Sequence, residues 1–182
     1  LPKTFSDFLI AHVSAKVAAK NESNIWKGVD SNTGEFDGFE TLLAADANLP
    51  AAQEVTGTTV TAANVVAELG KIVDAMPDAI YGREDLTLYV SQNIFKAYVR
   101  ALGGFAASGQ GANGVDNKGN LWYTSGQGVS FDGIPVAMCN GMSANKAILS
   151  YKENLYFGTG LMSDMQEVRV IDTSETLGDQ NV

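Results

Sequence analysis

Few residues in this 182-residue chain have the types and spacings that chemistry uses. Gly109, Gly111 and Gly114 spell GxGxxG, whose backbone amides cradle a pyrophosphate when a strand leads in and a helix leads out. Neither pattern flanks these glycines, and the following VDNKGN reads as a hairpin turn, so they belong to a long loop instead. Asp30 and Asn32 fit the opening of a calcium loop, but Gly34 falls one place early and Thr41 stands where the closing Glu belongs. His12 is the sole histidine, so a Ser-His-Asp or Cys-His site could draw on nothing else, and no GxSxG elbow accompanies it. It reads as a structural or interface residue. Cys139, the sole cysteine, sits in the apolar run IPVAMC and reads as a buried, inert thiol that excludes any intrachain disulfide. Carboxylates are plentiful, yet no two stand out by spacing as an acid and base pair. The expectation is a protein without enzymatic activity, cofactor or metal; a small-molecule enzyme built on the glycine-rich loop is the remote alternative.

Composition narrows the partners. The formal net charge of −9 would repel a phosphate backbone, which argues against tight nucleic-acid binding. With 45% hydrophobic and 18% charged residues the chain can bury a sizeable core, and it has no apolar run of about 18 residues that would span a membrane. The opening LPKTF lacks an initiating Met, and Asn181 and Val182 look like the start of another strand. Both ends read as trimmed from a longer protein.

The elements that must position these residues follow from periodicity. Residues 4–21 read as a helix, with Phe5, Leu9, Val13 and Val17 at every fourth place and Phe8 and His12 beside them. The turn-rich stretch NIWKGVDSNTGEFDGFETLL reads as a loop. A second helix from about Thr61 presents Val65, Leu69, Ile72, Val73 and Met76, and stops at Pro77. LTLYV, residues 86–90, is a strand, followed by a third helix capped by Ser91, with Ile94, Phe95, Tyr98, Val99 and Leu102 on its face and Gly103 as its C-terminal cap. Residues 103–128 are dense in glycine, with an aromatic strand at 121–123. The remainder offers four strands, GIPVAMC, AILSY, NLYFGTG and EVRVID, the last with Arg169 between Val168 and Val170, expected to join as a long antiparallel meander. The class is α+β. KENLYFG resembles a laboratory protease site, but the Gln that the protease needs is absent and patterned sequence flanks it. It reads as a native strand, Leu155, Tyr156 and Phe157, turning at Gly158 and Gly160, with residues 151–158 packed near the first helix.

The segment SFDGIPVAMCNGMSANKAILSYKENLYFGTGLMSDMQEVRVID resembles the carboxy-terminal part of the major capsid proteins of tailed bacteriophages, of the Hong Kong 97-type fold. That part carries a Gly, a hydrophobe and Pro-Val (Gly133, Ile134, Pro135, Val136). A connection of Met and small residues follows (here Gly141 to Lys146), then a strand, an aromatic strand with Gly, and a charged alternating strand. Upstream, LTLYVSQNIFKAYVRAL is similar to the family's strand and helix before a Lys-Asp-x-x-Gly turn, represented by VDNKG at 115–119. The first helix with NIWKG and FDGFETLL resembles the spine helix, a Gly-containing turn and the entry to the next domain. The likeness covers almost the whole chain, and its strength lies in the order of weak motifs.

The resemblance implies an axial domain at residues 43–150, between two halves of a peripheral domain at 1–42 and 151–182. The family's amino-terminal arm and long hairpin loop are missing. It implies a structural subunit of a phage or prophage shell, found in the virion after assembly in the host bacterial cytoplasm. Copies would form hexamers and pentamers around packaged DNA, with scaffolding, portal and decoration proteins as further partners. An encapsulin-type compartment shell is the alternative on the same fold. The loop at the capsomer axis would be formed by Gly103, Gly104, Gly109, Gly111, Asn113, Gly114, Asp116, Asn117, Lys118 and Gly119, glycine allowing one sequence to suit both ring sizes. Asn181 stands roughly where some members place the Asn of an intersubunit isopeptide bond.

Overall fold

The computed structural model describes residues 5–102, 129–158 and 160. Their order is α1 (Phe5–Lys27), α2 (Phe39–Ala45), α3 (Val65–Asp74), β1 (Leu86–Ser91), α4 (Gln92–Leu102), β2 (Ser130–Phe131), β3 (Ile134–Cys139) and β4 (Ala147–Tyr151), with short 3-10 turns at Ala51–Gln53, Asp78–Ile80 and Lys152–Asn154. The class is α+β. By packing, the chain separates into two units. Glu22–Tyr156 forms one, and Leu1–Asn21 with Phe157–Val182 the other. The seams lie at 21/22 and 156/157, whereas the boundaries expected from the family likeness lie at 42/43 and 150/151.

The unit Glu22–Tyr156 is built on a four-stranded sheet in the order β2-β3-β1-β4. β1 runs parallel to β3, with Leu88 beside Val136, and antiparallel to β4, with Leu88 beside Leu149. This corrects the expected antiparallel meander. The cause lies in what surrounds β1: it carries no charge and is covered on both faces, only Tyr89 being partly exposed, as suits a central strand, and α4 leads away from it toward the parallel neighbour. Leu86, Leu88 and Val90 face α3 and α4 and join Val65, Leu69, Ile94, Ala97, Tyr98, Phe131, Ile134 and Val136 in the main core. Tyr89 faces the other way, toward a smaller cluster of Trp26, Cys139 and Met142, with Ile25, Phe39 and Ile148 packed against it.

Three elements differ from expectation. FETLL, expected within a loop, opens α2 (Phe39–Ala45), because its Glu, Leu and Ala are good helix formers and the Leu42 amide closes the first turn onto the Gly38 carbonyl at 2.9 Å. α1 continues to Lys27 instead of ending near Asn21, since residues 22–26 contain no breaker, and it stops where the Gly28 amide closes onto the Asn24 carbonyl (3.0 Å). Asn24 and Trp26, expected in a loop, are therefore buried helical residues. The described residues of NLYFGTG, 154–158 and 160, do not form the expected strand. The register brings Leu86, the first residue of β1, opposite Tyr151, so β1 offers no partner beyond it, and the chain folds into the Lys152–Asn154 turn. Tyr156 is 77% exposed and Phe157 44%, so of the expected buried or interface strand the buried form does not hold. Tyr151 carries the Arg83 guanidinium 4.3 Å above its ring, and Arg83 in turn makes a bidentate pair with Asp85.

Candidate functional site

Because α4 starts at the end of β1 and runs back along the sheet, it delivers the chain at Leu102 to the end where β1 and β3 begin. That end also carries the β2 to β3 turn at Asp132 and Gly133, both with positive φ. The candidate loop that leaves Leu102, residues 103–128 with Gly109, Gly111, Gly114 and Lys118, lies outside the described residues. So do Asn181 and the strands expected at 121–123 and 167–172. The roots of the loop are described, and they are fastened together. The Tyr98 hydroxyl donates to the Ser130 carbonyl at 2.7 Å, and its ring meets Phe131 edge to face at 5.7 Å. Burial pushes the Tyr98 phenol up, so the group stays a neutral donor. Val129, the first described residue after the loop, is itself buried.

Beside these roots lies an open depression of about 350 Å3, lined by Val73, Asp74, Met76, Asp78, Tyr81 and Asp132. Tyr81 reaches across it, its hydroxyl 3.4 Å from the Asp132 carbonyl. Among the described residues no group of three or more His, Cys, Asp or Glu side chains is placed to hold a metal. The stretch with partial calcium-loop spacing uses its carboxylates on its own residues. Glu35 accepts from the Val29 amide and the Asn32 side chain, and Asp37 from the Asp30 amide. Thr41 donates to the Gly28 carbonyl at 2.7 Å, closing the loop.

His12 is exposed on α1 and stacks on Phe8, centroids 6.1 Å apart. The stripe it borders is apolar and open: Phe8, Leu9, Val13 and Val17 are 59%, 37%, 38% and 43% exposed. Cys139 is buried as expected, and burial pushes its thiol up to about 11. Iodoacetamide at neutral pH should therefore leave Cys139 unmodified in the folded chain and alkylate it fully in denaturant; rapid labelling of the native protein would contradict this burial.

Sequence reasoning missed a polar clasp at the opposite end of the sheet. Asn145, in the left-handed conformation at φ 59°, accepts through Oδ1 from Asn93 Nδ2 (2.7 Å) and from the Val60 amide (3.1 Å), while its own amide donates to Asn93 Oδ1 (3.0 Å). Ser91, expected as a helix cap, instead donates its hydroxyl to Asn93 Oδ1 at 2.8 Å. Three segments 52 and 85 residues apart in sequence are joined here, and only the preference of Asn for left-handed backbone hinted at it.

No protein-family model, no curated protein and no solved structure matches the chain. No described helix is long and apolar enough to cross a membrane.

Proposed function

We propose that the chain is a structural subunit of a bacteriophage or prophage capsid shell of the Hong Kong 97-type fold, without enzymatic activity, whose copies assemble into hexamers and pentamers around packaged DNA. The observation that carries the reading is the order of segments from LTLYV through GIPVAMC, AILSY and NLYFGTG to EVRVID. Two features agree with it. A glycine-rich stretch grows from roots held by Tyr98, as a loop at a ring axis would need. The stripe of Phe8, Leu9, Val13 and Val17 on α1 is apolar surface that a lone subunit leaves in water and an assembly can bury. A ring contact of this kind joins two different patches of the same subunit. The net charge of −9 suits a wall that encloses DNA without gripping it.

Expression of the full-length gene, imaged by negative stain, tests the proposal. Uniform shells or capsomer rings are the expected result, and a persistent monomer overturns it. In denaturant the same particles report on Asn181. Linked subunits would run as a ladder, whereas subunits running singly would remove the cross-link from the proposal.

A further inference from the structure

Between α2 and α3 the chain leaves the body of the fold. Residues 46–57 are exposed except for a partly covered Leu49. Among the described residues their hydrogen bonds stay within the segment: Asn48 to Asp46, Leu49 to Asp46, Gln53 to Pro50 and Glu54 to Ala51. The excursion ends at one carboxylate. Glu68, on α3 and with a side chain only 11% exposed, accepts from the Thr58 amide at 3.2 Å and from the Thr58 hydroxyl at 3.0 Å, while Lys71 Nζ donates to it at 2.8 Å. Asn64 adds bonds to the Thr58 hydroxyl (3.4 Å) and the Thr59 carbonyl (3.0 Å). Gly57 lies so close that a Cβ there would stand 2.9 Å from Glu68 Oε2. One residue later the Asn145 clasp holds Val60.

We propose that residues 46–57 form a hinged strap, latched to α3 by the grip of Glu68 on Thr58, which opens as a unit when that grip is lost while the sheet and its helices stay folded. The strap buries little apolar surface, so few contacts besides the latch offset the entropy of holding its twelve residues still. Beyond Thr58 the Asn145 clasp and the core begin, so opening stops there. The inference stands on these contacts alone and holds whatever the chain assembles into.

Lys71, on the same helix, is the charged group that acts on Glu68; the strap faces it with the uncharged donors of Thr58. Lys71, then Thr58, hold the carboxyl below the usual glutamate value. A depressed carboxylate keeps its partners above its ordinary range and loses them as the pH falls through the lowered value, so the latch is closed at neutral pH.

Hydrogen exchange of the full chain tests the strap. Glu68→Gln keeps the size of the side chain but turns one acceptor into a donor facing Thr58 and removes the attraction to Lys71. Thr58→Val weakens the same grip from the other side. In both variants amides in 46–59 should exchange roughly tenfold faster, while the core melts within about 2 °C of the parent. Unchanged exchange in 46–59 overturns the latch. Acceleration throughout the sheet with a matching fall in melting temperature overturns the hinge, since Glu68 would then be an ordinary structural residue. In an NMR titration of the parent the Thr58 amide should move with a midpoint below that of free glutamate; a midpoint at or above it also overturns the proposal.

Discussion

Replacing Trp26 by Ala should cost about 3–5 kcal/mol of folding stability, which at this chain length lowers the melting temperature by on the order of 10 °C. Trp26 is 7% exposed and is the largest member of the smaller core cluster. Its ring meets Phe39 at 5.6 Å and Tyr89 at 5.7 Å, and its Nε1 donates to Glu22 Oε1 at 3.2 Å. The last turn of α1, α2 and the sheet therefore converge on one side chain. Truncation would leave a cavity lined by Phe39, Tyr89, Cys139 and Met142, side chains anchored on helix and strand that can close over it only in part. Trp26→Phe should lose far less, about 1–2 kcal/mol, because it keeps an aromatic ring and gives up the hydrogen bond and part of the volume. Urea unfolding followed by far-ultraviolet circular dichroism measures both. A Trp26→Ala chain as stable as its parent would mean that the second cluster is no part of the cooperative fold.

Gly141→Ala should cost about 3 kcal/mol through a different mechanism. A Cβ at position 141 would stand 2.2 Å from the Glu22 carbonyl oxygen, 2.6 Å from the Glu22 carbonyl carbon and 2.9 Å from the Ser23 nitrogen. These are atoms of the α1 backbone and cannot rotate aside. The loop between β3 and β4 must lift from the helix, pulling the Ser143 amide from Glu40 Oε1, now 2.7 Å away, and Met142 from its place beside Trp26. Gly133→Ala is the useful contrast. Nothing lies within 4 Å of its Cβ position, so its cost is the positive φ of 78° alone, about 1 kcal/mol. The double variant Trp26→Ala with Gly141→Ala should lose less than the sum of the two, because both loosen the same joint. Strict additivity would place the two residues in separate units.

What the sequence reveals depends on how local the cause is. The faces of α3 and α4 were legible because apolar spacing alone selects Val65 and Leu69, or Ile94 and Tyr98, for burial. β1 was legible as a strand but not as a parallel one, because direction is decided by where α4 sends the chain and by which neighbour arrives later. NLYFG has every local mark of a strand and forms none, for the tertiary reason that β1 starts at Leu86 and has nothing left to pair. Gly28, Gly38 and Gly141 look like turn residues in sequence. Each is held against backbone brought from elsewhere, with Cβ positions 2.2 Å from the Phe36 oxygen, 2.5 Å from the Trp26 carbonyl carbon and 2.2 Å from the Glu22 oxygen. The site fared likewise. The candidate loop at 103–128 rests on composition alone, whereas the bond from Tyr98 to Ser130, which ties the described residues on either side of it, spans 32 residues and left no local trace.

The central place of β1 has a consequence in time. Leu88 must wait for Val136 on one side and Leu149 on the other, so during synthesis the strand has neither neighbour when it leaves the ribosome. At about 5–20 residues per second the interval from Ser91 to Tyr151 lasts roughly 3–12 s, and LTLYV, uncharged and rich in strand formers, is the kind of segment that pairs with other nascent chains. The chain order answers part of this danger. α3 is made before β1 and α4 directly after it, so both can cover Leu86, Leu88 and Val90 while translation continues. The face of Tyr89 has the earlier Ile25, Trp26 and Phe39 to meet it until β3 and β4 emerge. LTLYV is thus most open to wrong pairing in the seconds after β1 is made, and α3 and α4 are the elements whose place in the chain lets them cover it first.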